Sequence, residues 1–301
     1  MGAPVTETTA LPGPRRWVRV GGPRASGRAT PRAARSRLRR VATWMIELWP
    51  LVVIGVAWEL YARTADTLFF PPLSVVLPQF ASDWFALDPL QLFLSDYFWT
   101  HAGRSLWRIT QGLGIAIVVG ITLGILLGRS LVLRRMYEPL VRFFLGLPKV
   151  VLLPIAIQIF GVAESMNVFL ISIGAVWIVL INTFDGITGF DAAWARSAES
   201  LRLPRRVFYA RVLLPAASPQ ILTGIRVSLG LGLILMIVSE LYATTSGLGY
   251  ELLYAARTFA YARMWSALLL VALIGVVLNA AFGRFERRLV RWQRRDSLAS
   301  L

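Results

Sequence analysis

The stretch ARSAESLRLPRRVFYARVLLP, residues Ala195–Pro215, is a charged, helix-compatible island between two long apolar runs. Its residues permit one short helix from about Ala192 to Leu201 and a break over Arg202–Pro204. Pro204 suits the first turn of a second helix, where the N–H that proline lacks would have no partner anyway. On that second helix Phe208, Val212 and Leu213 share one face and the arginines fall on another. A short helix held across a surface between two apolar segments reads as a lever for a soluble partner to push.

The flanks decide what kind of chain carries this island. Hydrophobic residues make up 56% of the 301 positions and charged residues 16%. That is more apolar surface than one water-soluble core hides, so the chain belongs in lipid. A helix needs roughly 20 apolar residues to cross a bilayer. Six stretches qualify: about Thr43–Tyr61, Leu106–Leu127, Pro139–Phe160, Met166–Phe184, Gln220–Tyr242 and Met264–Phe282. Pro148 and Pro154 interrupt the third, and both a packing kink and a re-entrant break beside a cavity fit a span that loses backbone bonds there. The expected fold class is an all-α polytopic membrane protein of about six transmembrane helices.

The formal net charge of +16 is almost wholly arginine, because Lys149 is the only lysine. Cytoplasmic loops retain basic residues, and arginine gathers on alternate loops: Arg129, Arg134 and Arg135, then the island, then Arg284–Arg295. The segment Thr64–Thr100 has no lysine or arginine but holds Asp66, Asp83, Asp88 and Asp96. Both termini are therefore expected in the cytoplasm. Arg104 and Arg108, at the outer start of the second span, are exceptions expected to snorkel to the interface. The outer segment Pro78–Asp96 is expected to hold a short interfacial helix, with Trp84, Phe85, Tyr97, Phe98 and Trp99 in an aromatic belt. The chain thus divides into a basic, disordered N-terminal tail (1–42), a membrane domain (43–290, with the island loop at about 190–215) and a short C-terminal tail (291–301). The basic tail fits membrane lipid and no specific nucleic acid. A cleaved signal is not expected, since no short apolar core with a small-residue cleavage site precedes the first span.

Gly112, Gly120, Gly124 and Gly128 share one face of the second span, and Gly224, Ser228 and Gly232 make a similar stripe in the fifth. Such stripes let helices approach closely. Nothing assembles into an enzyme. There is one histidine, His101, and no cysteine, so zinc triads and Ser-His pairs supported by further histidines are absent. No Gly-rich loop precedes a Lys-Ser or Lys-Thr pair, so a P-loop is absent too, and any ATP must be handled by another polypeptide. Intramembrane polar groups remain: Gln158, Asn167, Asn182, Asp185, Glu240 and Asn279. Such groups are functional candidates because they are costly in lipid. Glu240 is assigned to holding the following Ser246-Gly247-Leu248-Gly249 loop, or an arginine. That loop is expected to be tight and to line an outer vestibule.

The island resembles the cytoplasmic loop of permease subunits of binding-protein-dependent ABC importers. That loop reads Glu-Ala-Ala, three residues, Gly, nine residues, an aliphatic residue, one residue, Leu-Pro. The spacing fits Arg196-Ser197-Ala198, Arg202, Val212 and Leu214-Pro215, with arginine in both the glutamate and the glycine positions. Over roughly Leu68–Arg288 the chain is similar to the nitrate, sulfonate and taurine branch. The matching residues are Phe70-Pro71-Pro72, Ser105-Leu106-Trp107-Arg108, Leu147-Pro148-Lys149-Val150-Val151-Leu152-Leu153-Pro154, Phe160-Gly161, Asn182-Thr183, Ser239-Glu240 and Ser246-Gly247-Leu248-Gly249-Tyr250. The resemblance implies a type I importer permease whose island forms coupling helices. These would engage an ATPase through Arg196, Ser197, Ala198, Glu199, Leu201, Arg202, Val212, Leu214 and Pro215. It implies no cofactor on this chain, with ATP and Mg on partner ATPase subunits. It also implies an extracytoplasmic solute-binding protein, a second permease copy or paralogue, and a prokaryotic inner membrane. The translocation path and outer loop are expected to include Pro148, Pro154, Asn182, Glu240, Ser246, Gly247 and Gly249, and the solute to be a small organic or inorganic anion. The alternative is the transmembrane component of an energy-coupling-factor vitamin importer, whose Ala-Arg-Ser signature Ala195-Arg196-Ser197 matches once.

Overall fold

The computed structural model describes residues 32–65, 67–86, 92–190 and 192–290. The expected tails, apart from the helical stretch that begins at Arg32, lie outside these residues. Two units are distinguished, Met1–Ile54 and Gly55–Leu301. The first contributes the N-terminal part of helix α1 (Arg32–Ala65), with Pro50 inside it. The second holds α2 (Leu73–Trp84), α3 (Asp96–Phe98), α4 (Arg104–Arg129), α5 (Leu131–Gly146), α6 (Leu153–Phe160), α7 (Glu164–Thr188), α8 (Ala192–Ser200), α9 (Arg205–Phe208), α10 (Leu214–Ala243), α11 (Leu248–Arg257) and α12 (Tyr261–Leu289). Short π-turns at Trp99–Gly103 and Tyr209–Leu213 feed α4 and α10. Among the described residues the only β pairing is an isolated antiparallel bridge, Phe85 with Leu94.

Among the described residues four segments are long and apolar enough to cross a membrane: Asp96–Arg129, Glu164–Thr188, Arg206–Ala243 and Tyr261–Leu289. Val132–Gly146 and Lys149–Phe160 pass that test only as a pair bent by 94°. The proline-interrupted third stretch is thus broken rather than kinked. Pro148 stands in the extended conformation between the halves, and Pro154 occupies the first turn of α6. The expected first span, Thr43–Tyr61, falls within α1, whose side chains are described from Trp49 onward.

The core is built on α4, α7 and α10. Each glycine of the α4 stripe meets the α7 residue 59 positions later: Gly112 with Ile171, Gly120 with Val179, Gly124 with Thr183 and Gly128 with Ile187. A constant offset repeated every four or eight residues means that the two helices run parallel and in register. With Ala116 also fully buried on that face, the stripe is a close-contact seam of small residues, which compensates for the weak drive to associate when lipid is as apolar as the side chains. Helix α10 runs the other way: Gly224 packs on Asn182, and Leu235 on Gly174.

The α2–α12 contact differs from the expected interfacial belt. Helix α2 starts at Leu73, with Pro78 inside it, and Trp84 is fully buried with Ala267, Leu270 and Leu248. Its indole Nε1 donates to Ser266 Oγ at 2.7 Å. The apolar body and polar handle of a tryptophan suit a buried site with one hydroxyl as well as an interface, and sequence alone does not separate the two. Phe85 and Trp99 remain exposed.

The seam gives a clean contrast. A Cβ at Gly124 would lie 2.6 Å from Thr183 Cβ, whereas one at Gly114 or Gly230 meets nothing within 4 Å. Gly124→Leu is expected to lose about 1–3 kcal/mol through overpacking, read as a lowered Tm of the purified protein in detergent. Gly114→Ala should leave Tm unchanged or raise it.

Candidate functional site

Polar chemistry concentrates at the two ends of the α4–α7–α10 core. At one end α4 and α7 begin and α10 finishes. There His101, Arg104, Ser105 and Arg108 follow one another at helical spacing on an otherwise apolar stretch. Arg108 is only 2% exposed. Its Nε and Nη2 form a fork on Glu164, at 2.5 and 2.6 Å, and its Nη1 donates to Glu240 Oε1 at 2.7 Å and to the Ser246 carbonyl at 2.8 Å. Glu240, fully buried, also accepts from Ser105 Oγ at 2.8 Å and from the Gly249 N–H at 2.9 Å. The Leu248 N–H donates to Ser105 Oγ at 2.9 Å, and Arg104 Nη1 donates to Ser246 Oγ at 3.0 Å.

Glu240 therefore holds both an arginine and the loop. The loop is shaped around it. Gly247 has φ +118°, and a Cβ there would collide with the Glu240 carboxylate; a Cβ on Gly249 would lie 2.5 Å from the Ile237 carbonyl. No side chain larger than hydrogen fits either position. Two expectations are corrected here. Arg108 does not snorkel: its guanidinium is buried beneath two carboxylates, because pairing inside the protein replaces the water it would otherwise seek, while Arg104 alone keeps an exposed side chain. The loop is tight as expected, and it is buried rather than open at its glycines: Ser246, Gly247, Leu248 and Gly249 are all buried, while Tyr242, 69% exposed, and Thr245 just before them face outward. The irregular backbone sits beside protein rather than beside water. Glu164 was not singled out in the sequence, and Ser105 was met only within the Ser105–Arg108 match, without this role; the i, i+4, i+7 recurrence of His101, Ser105 and Arg108 was the available signal.

The opposite end carries the island. Helix α8 ends at Ser200 and the chain turns through Leu201–Pro204 into α9. Arg202 has φ +48°. The Leu203 N–H bonds the Ala198 carbonyl at 3.1 Å and the Arg202 N–H bonds the Glu199 carbonyl at 2.9 Å. These two bonds define a Schellman ending with Arg202 in the left-handed position normally given to glycine. An L-residue there costs about 1–2 kcal/mol. Ala198 is buried; Arg196, Ser197, Glu199 and Arg202 lie on exposed surface, and Leu201 is 72% exposed. Val212 is half-buried in the π-turn, and Leu214 and Pro215 form the first turn of α10. The loop is tied to the core by Arg129, whose Cζ lies 4.0 Å over the Tyr209 ring at the end of α4.

The remaining path candidates are not gathered with Glu240. Asn182 is half-buried on α7, donates to the Ile178 carbonyl and accepts from Gln220 at 3.1 Å. Pro148 and Pro154 flank the α5–α6 break. No hydrogen bond among the described residues links any of the three to the Glu240 group. Asp185 lies exposed in a separate cleft of about 120 Å³, with Arg134, Glu138 and Arg142. Among the described residues no group of three or more potential metal ligands occurs.

Residues 116–291 match the family model for the binding-protein-dependent transport system inner membrane component. The chain belongs to this family. It is a permease subunit, and the match runs through α7, the island and α10. It is 29% identical over 249 residues to the taurine transport system permease protein of Escherichia coli, covering 82% of this chain and 89% of that one. A Bacillus subtilis permease whose name assigns it to aliphatic sulfonates is 32% identical over 82% of this chain and 86% of its own. The nitrate import permease protein of Leptolyngbya laminosa is 31% identical over 64% and 69%. The fold of the permease is also that of a chain of the methionine ABC transporter MetNI in inward-facing form, with TM-score 0.54 at 18% identity over 63% of this chain and 94% of that one.

Arg108 and Glu240 provide the energetic test of this site. Arg108→Met leaves Glu240 buried without its cation and is expected to cost about 3–5 kcal/mol. The double variant Arg108→Met/Glu240→Gln should recover part of that loss. Glu164→Gln should cost no more than about 1 kcal/mol, since Glu164 is 58% exposed and water screens the pair. Unfolding of the three variants in detergent, compared with the parent chain, reads all of this.

Proposed function

We propose that this permease forms the membrane path of an ATP-driven importer for small anionic solutes, and that the α8–α9 loop is where the ATPase drives it. One observation carries the solute class: the relatives' names assign them taurine, aliphatic sulfonates and nitrate, which share an oxyanion group. Two permease chains, identical or paralogous, enclose the path. An extracytoplasmic binding protein delivers the solute to the end that carries Glu240, and paired ATPase subunits holding ATP and Mg engage the other end. Catalysis belongs to those ATPases, and this chain contributes only motion. Alternating access then proceeds by rocking of packed helices about a central path. The arginine distribution supports an orientation with both termini and the island in the cytoplasm. Membership in the permease family favours this reading over the energy-coupling-factor alternative.

The geometry of the island supports its docking role. Leu201 projects from the end of α8, with the exposed side chains of Arg196, Arg202 and Arg206 on the same loop. An apolar knob among positive charges suits an apolar pocket rimmed by carboxylates. Arg202 adds a backbone argument: a left-handed arginine persists only where something compensates its cost, and an acidic partner residue does so here.

Leu201→Asp changes an exposed side chain and not a buried one, so it is a cleaner test than any change at Ala198. It is expected to abolish co-purification of the ATPase and solute uptake while membrane insertion is unaffected. Arg202→Gly and Arg202→Asn both relax the turn, yet each should weaken ATPase association about threefold to tenfold through the lost charge, as judged by pull-down across a salt series. Unchanged association together with faster transport would show that the arginine is only tolerated strain. Uptake into proteoliposomes supplied with the binding protein and ATPase should favour ethanesulfonate or nitrate over neutral and cationic solutes.

A further inference from the structure

Lys149 is the chain's one lysine, and it stands at the break between α5 and α6. Its stem passes Gly174, with Cγ 3.5 Å from where a Cβ on that glycine would be. Gly174 lies near the middle of the membrane-crossing helix α7, which runs Glu164–Thr188. The ammonium is therefore held near mid-depth of the membrane. Among the described residues its one hydrogen bond is to the Leu145 carbonyl at 2.7 Å, near the C-terminal end of α5, and it makes no ion pair. The buried cation Arg108, by contrast, is neutralised by Glu240 and Glu164, and even the exposed Arg226 on α10 has Glu286 beside it.

An unpaired charge at this depth is costly, and such groups face a water-filled cavity or a pathway and mark ion routes. The surroundings agree. Lys149 is half-buried, and Gly146, Pro148, Val150 and Val151 on either side of it are exposed. Nothing lies within 4 Å of where a Gly146 Cβ would be. Lys149 also opens the segment Lys149–Phe160 that follows the 94° bend, a four-residue 3-10 turn and then α6. Solute sites in transporters are formed at such interrupted spans.

We propose that Lys149 is an anion-binding station on the translocation path, met by the solute part-way across. The ligand class is a small oxyanion such as a sulfonate or nitrate. Two N–H donors of the ammonium remain after the Leu145 bond, enough for one or two oxygens. A single ammonium without a second cation binds weakly, which suits a site that a solute must leave as readily as it enters. The proposal rests on the anion-import reading above and adds to it the residue that recognises the charge. The competing role for Lys149 is purely structural, that of capping the α5 carbonyl end, as lysines near helix C-termini do.

Lys149→Gln separates the two, because its amide still donates to a carbonyl but carries no charge. The complete transporter, with ATPase and binding protein, is reconstituted in proteoliposomes. Uptake of ethanesulfonate and nitrate is measured for the parent chain and for the Lys149→Gln, Lys149→Arg and Lys149→Met variants. The charge role requires at least a tenfold loss of uptake rate in Lys149→Gln and Lys149→Met. Lys149→Arg should stay within about threefold of the parent, with Tm and ATPase co-purification unchanged in all. Near-normal uptake by Lys149→Gln, with a lowered Tm only in Lys149→Met, would overturn the proposal in favour of capping. If the parent transporter carries neither anion but does carry an uncharged solute, the import reading of solute class fails instead, and the anion station fails with it.

Discussion

The Arg108 guanidinium ties together four segments that are distant in sequence. It spans the start of α4, the start of α7, the end of α10 and the loop that leads into α11. A buried charge pair is not in itself a source of stability, since desolvation offsets much of the attraction. What it provides here is definition. Glu240 accepts from Arg108, Ser105 and the Gly249 amide, so the carboxylate is satisfied only when the loop, α4 and α10 are in one arrangement. The two glycines follow from that requirement, because the loop backbone must pass directly against the carboxylate.

Along the length of the core the same three helices carry this definition to the other end. The α4–α7 seam is close enough that neither helix slides without moving the other. At its far end Arg129 stacks on Tyr209, in the π-turn between α9 and α10. The island is therefore joined to α10 directly and to α4 through that stack. The bent α5–α6 pair is held differently. Of α5's described side chains only Val141 is buried, and of α6 only Leu153 and Ala156. A packed core beside a broken span with few buried side chains is the division of parts that the proposed rocking would use.

Much of this was legible in the residues. The glycine stripe at four-residue spacing announced the seam, and the two prolines announced an interruption without deciding between a kink and a break. The Arg202–Pro204 break announced the turn between α8 and α9, and the family resemblance placed Arg202 at the glycine position of that turn. The pairing of Arg108 was not legible, because a cation at a span end reads the same whether it reaches for water or for a carboxylate 132 positions away. Trp84 failed for the same reason: an amphipathic ring suits an interface and a buried hydroxyl equally, and Ser266 lies 182 positions from it. Local pattern sets helix, break and face; long-range polar partners are set only when the helices assemble. The loop at Ser246–Gly249 shows the limit most clearly, since its tightness follows from its glycines and its burial follows from Glu240.

The direct test of that constraint is native-state hydrogen exchange at the Leu248 and Gly249 amides of the intact protein. Their acceptors are Ser105 Oγ and Glu240 Oε2 at 2.9 Å in buried surroundings. Both amides are expected to exchange as slowly as those of the α10 interior, and to become fast together when Glu240→Gln or Arg108→Met removes the pair. Exchange at the rate of an open surface loop in the unmodified chain would contradict the role given to Arg108 and Glu240.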